Sequence, residues 1–279
     1  MSSKTTVFRR AYDILRNEGS LSLGRSAKRF IYKKYIGRLV IPLRYVCNTC
    51  IYDAVAHPYK VVHVSPRRIR RRARPFGFTD SIARIAGGMW DVKAEPLTEF
   101  PKYNAVRMRY ADGIDWEETG IYDHLLAEIE RKGMKDGCRN RSDLKRRYAE
   151  IDALYQSMKS NGYDGSYHDE PPPWWGYSHD DYIGVHIGRD GEFIFAASGW
   201  HRLSISKVLD IDRIPVWVRA RHRRWQTLRE EMYTTSSAAA LSDEASQYIH
   251  HPDMQDVVAD DILDETRDDY WPTRNPPTK

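Results

Sequence analysis

The sequence predicts an α+β fold: a small mixed sheet packed with helices, a basic helical extension in front of it and an acidic, mostly disordered tail behind. Three observations carry this expectation. Apolar residues alternate along Ile183-Gly184-Val185-His186-Ile187 and return along Glu192-Phe193-Ile194-Phe195-Ala196, the period of strands. Leu144, Tyr148, Ile151, Leu154, Tyr155 and Met158 recur at i, i+3, i+4, the period of a helix with one buried face. The charge is split between the ends: residues 1–75 hold eighteen Lys/Arg against three Asp/Glu, and residues 241–279 hold three against ten.

Taken in order, residues 5–37 read as helix, with Phe8, Tyr12, Leu15, Phe30, Tyr35 and Ile36 near helical spacing and Arg and Lys between them. Packing on the domain and lying on a membrane surface are both open to such a segment. Val61-Val62-His63-Val64 is a short strand, followed by Ser65-Pro66 and the run from Arg67 to Arg74. Within that run Arg67, Arg68, Arg70, Arg71 and Arg72 are candidates for contact with phosphates or a nucleic-acid backbone, without base readout. Residues 80–122 read as irregular, with short strands such as Ala105 to Tyr110. Residues 121–132 and 141–160 read as helices, the second stopped by Gly162. Residues 164–181, rich in Pro, Trp and carboxylates, suit a lid or an ordered connector.

Arg189-Asp190-Gly191 is the turn of a hairpin. After the return strand, Gly199 precedes a helix from Arg202 to Leu209, and Ile214-Pro215-Val216-Trp217-Val218 is a closing strand, followed by a helix from Arg221 to Met232. A glycine between strand and helix lets a ligand approach the backbone closely. The first amides of the helix have no internal partner and favour an anion. Gly199, Trp200, His201 and Arg202 are therefore the candidate anion site, with His201 and Arg202 as added donors. The alternative is a purely structural turn in which these two side chains bond carbonyls or the carboxylates of Asp210 and Asp212.

Mean hydropathy of −0.68 and 30% charged residues describe a water-facing surface, and no apolar run is long enough to span a bilayer. The N-terminus lacks the pattern of a secretory signal. Three cysteines make no disulfide framework, and the Cys47/Cys50 pair lacks the further ligands of a zinc site. The expected location is cytoplasmic, with a membrane-peripheral alternative through residues 1–50.

The stretch GVHIGRDGEFIFAASGWHRLSISKVLDIDRIPVWVRARH resembles the core of the ParB/sulfiredoxin superfamily: a strand hairpin, Gly-x-His/Arg-Arg at a helix start, a short helix and an Ile-Pro-Val strand. IDALYQSMKSNG, from Ile151, and VVHVSPRRI, from Val61, resemble the helix and the opening strand that precede that core. The resemblance implies a domain over 61–233 with an insertion at about 75–145, a basic extension over 1–60 and the tail over 234–279. It also implies a nucleotide, ATP or CTP with Mg²⁺, whose phosphates rest on Gly199, His201 and Arg202. Trp200 stands where sulfiredoxins have their cysteine, so a thiol route is not expected. For a phosphotransferase or nucleoside triphosphatase acting on a hydroxyl, Asp91, Asp169 and Glu170 are the candidate bases, with Glu117 beside them. Two non-enzymatic readings stand next to it: a DNA or RNA backbone-binding module and a membrane-surface accessory protein.

Overall fold

The computed structural model describes residues 37–163 and 182–266. It is an α+β arrangement built around one seven-stranded mixed sheet. The longest strand, β7 (Ile214–His222), is buried at all nine positions and organises the rest. Along one side of it, β1 (Val61–Val64) runs antiparallel beside its first half and β3 (Arg84–Ala86) parallel beside its second half. On the other side β5 (Ile183–Ile187) runs parallel to β7, and β6 (Phe193–Ala197) returns antiparallel to β5 as the hairpin that the Arg189-Asp190-Gly191 turn signals. Two-residue strands β2 (Arg71–Arg72) and β4 (Glu95–Pro96) extend the sheet beyond β6.

The sheet separates two cores. Ile183, Val185 and Ile187 of β5, Phe193 and Phe195 of β6, and Val216 and Val218 of β7 alternate onto one face, as their period requires. Helix α5 (Trp200–Val208) adds Leu203 there, and α6 (Arg223–Thr234) adds Trp225, Leu228 and Met232. On the opposite face Trp217 packs with Ile82, Ala83 and Tyr182, and with Ile41 of α1 (Gly37–Thr49), while Ile194 packs with Trp90 and Ala94.

A helical layer of α2 (Pro101–Tyr110), α3 (Ile121–Lys132) and α4 (Arg141–Asn161) holds its own core, which meets α5 at Ile205. Asn140 caps α4 by accepting the Asp143 amide at 2.9 Å. Asp152 on α4 accepts from Tyr110 Oη (2.9 Å) and Trp116 Nε1 (3.1 Å), tying the layer together.

Two expectations need correction. Residues 105–110 are helix, not strand: Pro101 sits at the first turn, where its fixed φ favours a helix, and Ala105 and Val106 bury on one side. The alternation of apolar and basic residues in AVRMRY imitates a strand. The second correction concerns the tail. Residues 238–266 are folded, with α7 (Asp243–Ser246) and α8 (Asp260–Glu265), and Ala245, Ile249, Met254, Val257, Val258 and Ile262 complete the main core. Averaged acidity hid these apolar residues. Two of the acids are neutralised in place. Asp253, fully buried, accepts from Arg221 (2.8 and 2.5 Å) and Trp225 Nε1 (2.9 Å), and Lys60 and Arg229 add further positive charge. Asp256 is gripped by Arg229 through two 3.0 Å bonds and by Lys60 at 2.6 Å. Among the described residues no helix is long and apolar enough to cross a membrane.

Candidate anion-binding site

The chain leaves β6 through Ser198 at φ 61° and Gly199 at φ 67° and enters α5 at Trp200. A side chain at Gly199 would be strained by the left-handed φ, and its Cβ would lie 2.6 Å from Ile183 Cγ1. Both constraints follow from wedging the turn against the first residue of β5. Ser198, which is not glycine, tolerates the same region at a cost of about 1 kcal/mol. The first intrahelical bond of α5 is Leu203 N–H to Gly199 O at 2.9 Å. Among the described residues no acceptor takes the amides of Trp200 and His201, and no side chain caps the helix. Among the described residues, the turn thus presents open backbone donors at the positive end of a nine-residue helix.

The side chains divide differently from expectation. Trp200 packs inward on Phe195 (ring centroids 4.6 Å) and Phe100 (5.5 Å), with its Nε1 buried and unpartnered. His201 turns toward the helical layer, 6.0 Å from the Tyr148 ring, with its Nε2 buried and unpartnered. Burial pushes its pKa down to about 3, assisted by Lys102 and Arg147, so the imidazole is neutral at pH 7. It is not the second positive donor expected from the sequence. Arg202 occupies the first turn of α5, half-buried, and its carbonyl accepts Ser206 Oγ at 2.8 Å.

The arginine run comes apart in the fold. Arg72 lies beside the turn because β2 pairs with β6, with Arg72 opposite Phe195. Its guanidinium stacks 4.3 Å over Phe100 and 5.5 Å from Trp200, and its Nε is buried without a partner. Arg71 is bonded to Glu192 (Nε to Oε1, 2.9 Å), and Arg67 to Asp210 (Nε to Oδ1, 2.5 Å). Arg68 and Arg70 are exposed. Of the five candidates, then, only Arg72 joins the turn, and the run does not form one continuous phosphate-facing surface.

The candidate bases do not gather there either. Asp91 is buried at the far end of the hairpin, where it accepts from Arg189 N (2.9 Å), Nε (2.8 Å) and Nη2 (2.9 Å). Burial alone would raise its pKa, but those bonds and the nearby charge of His222 outweigh it and hold the carboxyl well below the usual carboxylate range. The length of β6, about 16 Å at ~3.3 Å per residue, separates it from Gly199. A carboxylate clamped by a guanidinium at that distance cannot serve as base at the turn. Glu117 is an exposed partner of Lys145 (3.0 Å). Asp169 and Glu170 lie outside the described residues.

Among the described residues no group of His, Cys, Asp and Glu could hold a metal ion. Asp136, whose charge reaches His201, is paired with Lys102. Cys47 and Cys50 are exposed, and burial pushes the Cys138 thiol up.

Sequence reasoning missed Asp253 and its cations, the aromatic seating of Arg72, and the position of Arg219 on β7. The only signal for the last was Arg219-Ala220-Arg221, two charges closing an otherwise apolar strand. Comparison with models of protein families, with curated proteins and with solved structures gives no match.

Proposed function

We propose that this protein binds the phosphates of a nucleotide at the Ser198–Arg202 turn. The observation that carries the reading is the left-handed Ser198-Gly199 pair, which opens α5 with donor amides that no described acceptor takes. Arg72, brought alongside by strand pairing, adds positive charge, and Phe100 and Trp200 add aromatic surface. The succession of opening strand, Pro66 turn, α4, hairpin, Gly199 turn, α5 and closing strand supports a ParB/sulfiredoxin-like core for the domain. An ATP-dependent phosphotransferase or nucleoside triphosphatase remains a finer form of the proposal, with Asp169 or Glu170 as the base to test. The test is a thermal-shift comparison with ATP and CTP, each with and without Mg²⁺, between wild type and Arg202→Ala. A nucleotide-dependent rise in Tm that shrinks at least several-fold in the variant is expected; equal shifts in both proteins would overturn the reading.

A second reading, peripheral contact with an anionic membrane, is favoured by one observation. Helix α1 packs through Ile41, Arg44 and Asn48, the last two donating to the carbonyls of Asp80, Ile82 and Ala83. Its other face exposes Leu39, Leu43 and Val46 at i, i+4, i+7, followed by Ile51 at 70% exposure. The preceding 38 residues carry ten Lys/Arg and two Asp/Glu. Apolar groups beside dense positive charge suit a bilayer of acidic lipids. Flotation with phosphatidylserine vesicles should carry the full chain upward, and Leu39→Glu with Leu43→Glu should release it. Flotation unchanged by that double substitution would exclude this surface. The dispersal of Arg67 to Arg72 leaves the nucleic-acid reading without a comparable feature.

A further inference from the structure

The opposite face of the sheet holds a buried cation with no counter-ion among the described residues. Strand pairing runs Val185 with Val218 and then His186 with Ala220, so Arg219 is the extra residue of a β-bulge. The bulge sends Arg219 and Arg221 to opposite faces although they are two apart. Arg219 is wholly buried. Its Nε donates to Ser81 Oγ at 2.9 Å, its Nη2 donates to Phe78 O, and its guanidinium lies between the Phe78 ring (4.0 Å) and the Trp217 ring (4.7 Å). Its Nη1 has no acceptor. No carboxylate pairs with it among the described residues, and the charge that reaches it, from Arg74, is of the same sign.

The surroundings are shaped for this side chain. Gly184 on β5 has no Cβ; one placed there would meet Arg219 Cδ at 2.7 Å and Ala197 O at 2.5 Å. His186 lies on the same face, buried between Phe76 and Trp90 (ring centroids 5.9 and 5.7 Å), with its Nδ1 unpartnered. Burial first, and the Arg219 charge second, push its pKa down to about 3, which leaves a neutral ring able to take either tautomer. Arg74 is exposed and bonds Ala196 O at 3.3 Å, next to the strand position that Arg219 crosses. A buried guanidinium without a counter-charge is costly, and Arg does not shed its proton to avoid that cost.

We propose that Arg219, with Arg74 and the His186 Nδ1, forms a second anion subsite beneath the sheet, which takes one oxyanion of a small ligand, a carboxylate or a phosphate. The Nη1 of Arg219 supplies the charged hydrogen bond, Arg74 at the protein surface supplies further positive charge, and His186 donates as the neutral Nδ1–H tautomer. Phe78 and Trp217 flank the guanidinium, and Phe76 and Trp90 flank the imidazole; away from water, one charged bond is stronger. The subsite rests on observations separate from those at the Gly199 turn.

The experiment compares thermal shifts of the full chain in inorganic phosphate and in acetate against sodium chloride of equal ionic strength. It is run in the Arg202→Ala background, so that loss of the turn site and loss of this one are told apart. Arg202→Ala alone should gain about 2 °C or more at ~10 mM of the favoured anion, and Arg202→Ala/Arg219→Met should gain nothing. The anion giving the larger gain identifies the ligand group. Without anion, Arg219→Met should melt at or above the parent, since an apolar chain replaces an uncompensated charge. Arg74→Met, a surface change that leaves packing intact, should roughly halve the gain. A gain that survives Arg219→Met, a gain untouched by Arg74→Met, or an anion-free Tm that falls by more than about 5 °C in Arg219→Met would each overturn the proposal. The last result would mean that the chain already compensates the charge.

Discussion

Arg219 and Arg221 sit two residues apart on one strand, both buried, and one bulge gives them opposite fates. Arg221 meets Asp253 in a bidentate pair whose carboxylate is also bonded by Trp225 and flanked by Lys60 and Arg229. Arg219 meets a serine, a carbonyl and two aromatic rings. On the first face, charge pins a chain segment: Asp253 and Asp256 dock residues 238–266 against β7 and α6. On the second face, no described carboxylate meets the charge. The difference teaches that a buried arginine is read by its partner and not by its burial.

The largest effect is expected at Asp253. Asp253→Ala would leave Arg221, Arg229 and Lys60 facing one another without their shared carboxylate. We expect a loss of about 3–5 kcal/mol in urea unfolding, and release of residues 238–266 to protease. A change below 1 kcal/mol would mean that the apolar contacts of Ile249, Met254 and Val258 hold the segment by themselves. Next in size is the turn. Gly199→Ala forces a left-handed φ and a contact at 2.6 Å, for an expected loss of about 2–3 kcal/mol in the same measurement. Near-neutral behaviour would show that Ile183 yields and that the turn is not fixed.

The smallest effect sharpens the contrast through pH. His186 and His251 are both buried, and burial pushes each down to about 3, below the ordinary value of about 6.5. Between those values the unfolded chain binds protons that the folded chain does not, so stability falls as pH falls through about 6.5 and stops falling, for these groups, near 3. Asp91, Asp253 and Asp256 have depressed values, and their contribution is present above the unfolded carboxylate range, about pH 4, and lost below it. Urea midpoints should therefore decline from pH 7 to 5 on account of the histidines, before the carboxylates contribute. His186→Phe should flatten that first decline by roughly 2 kcal/mol, and an unchanged slope would place His186 in contact with water or an acid. His251 should keep its share, since its Nδ1 accepts the Asp253 amide at 3.1 Å and its Nε2 faces Gly191 O at 3.0 Å, both bonds of the neutral ring.

Much of the domain was legible in the residues. The hairpin turn, the period-two strands, the long amphipathic α4 with its Gly162 stop and the strand from Ile214 all follow from local pattern, because backbone propensity and face burial agree there. The Gly199 turn was legible for the same reason: only glycine fits a left-handed position pressed against Ile183. Residues 105–110 misled because their alternation and their helix-start proline point different ways, and packing against the helical layer decided. The acidic tail misled because composition averages over Ile249, Met254 and Val258, and because Asp253 and Asp256, which look solvated in sequence, have their cations 24 to 196 positions away.

The central hairpin, the helix that opens after Gly199 and the supply of positive charge are set locally, since each depends on residues within a few positions of one another. Which charges are engaged depends on contacts between residues far apart in sequence. Asp91 went to Arg189, Arg71 to Glu192 and Asp253 to Arg221, while His201 was folded inward and neutralised and Arg219 was buried without an acid among the described residues. The physical reason is that the energy of a charge depends on its distance to other charges and to water, and a one-residue bulge, invisible in the pattern of the strand, moves a guanidinium from one face of a sheet to the other.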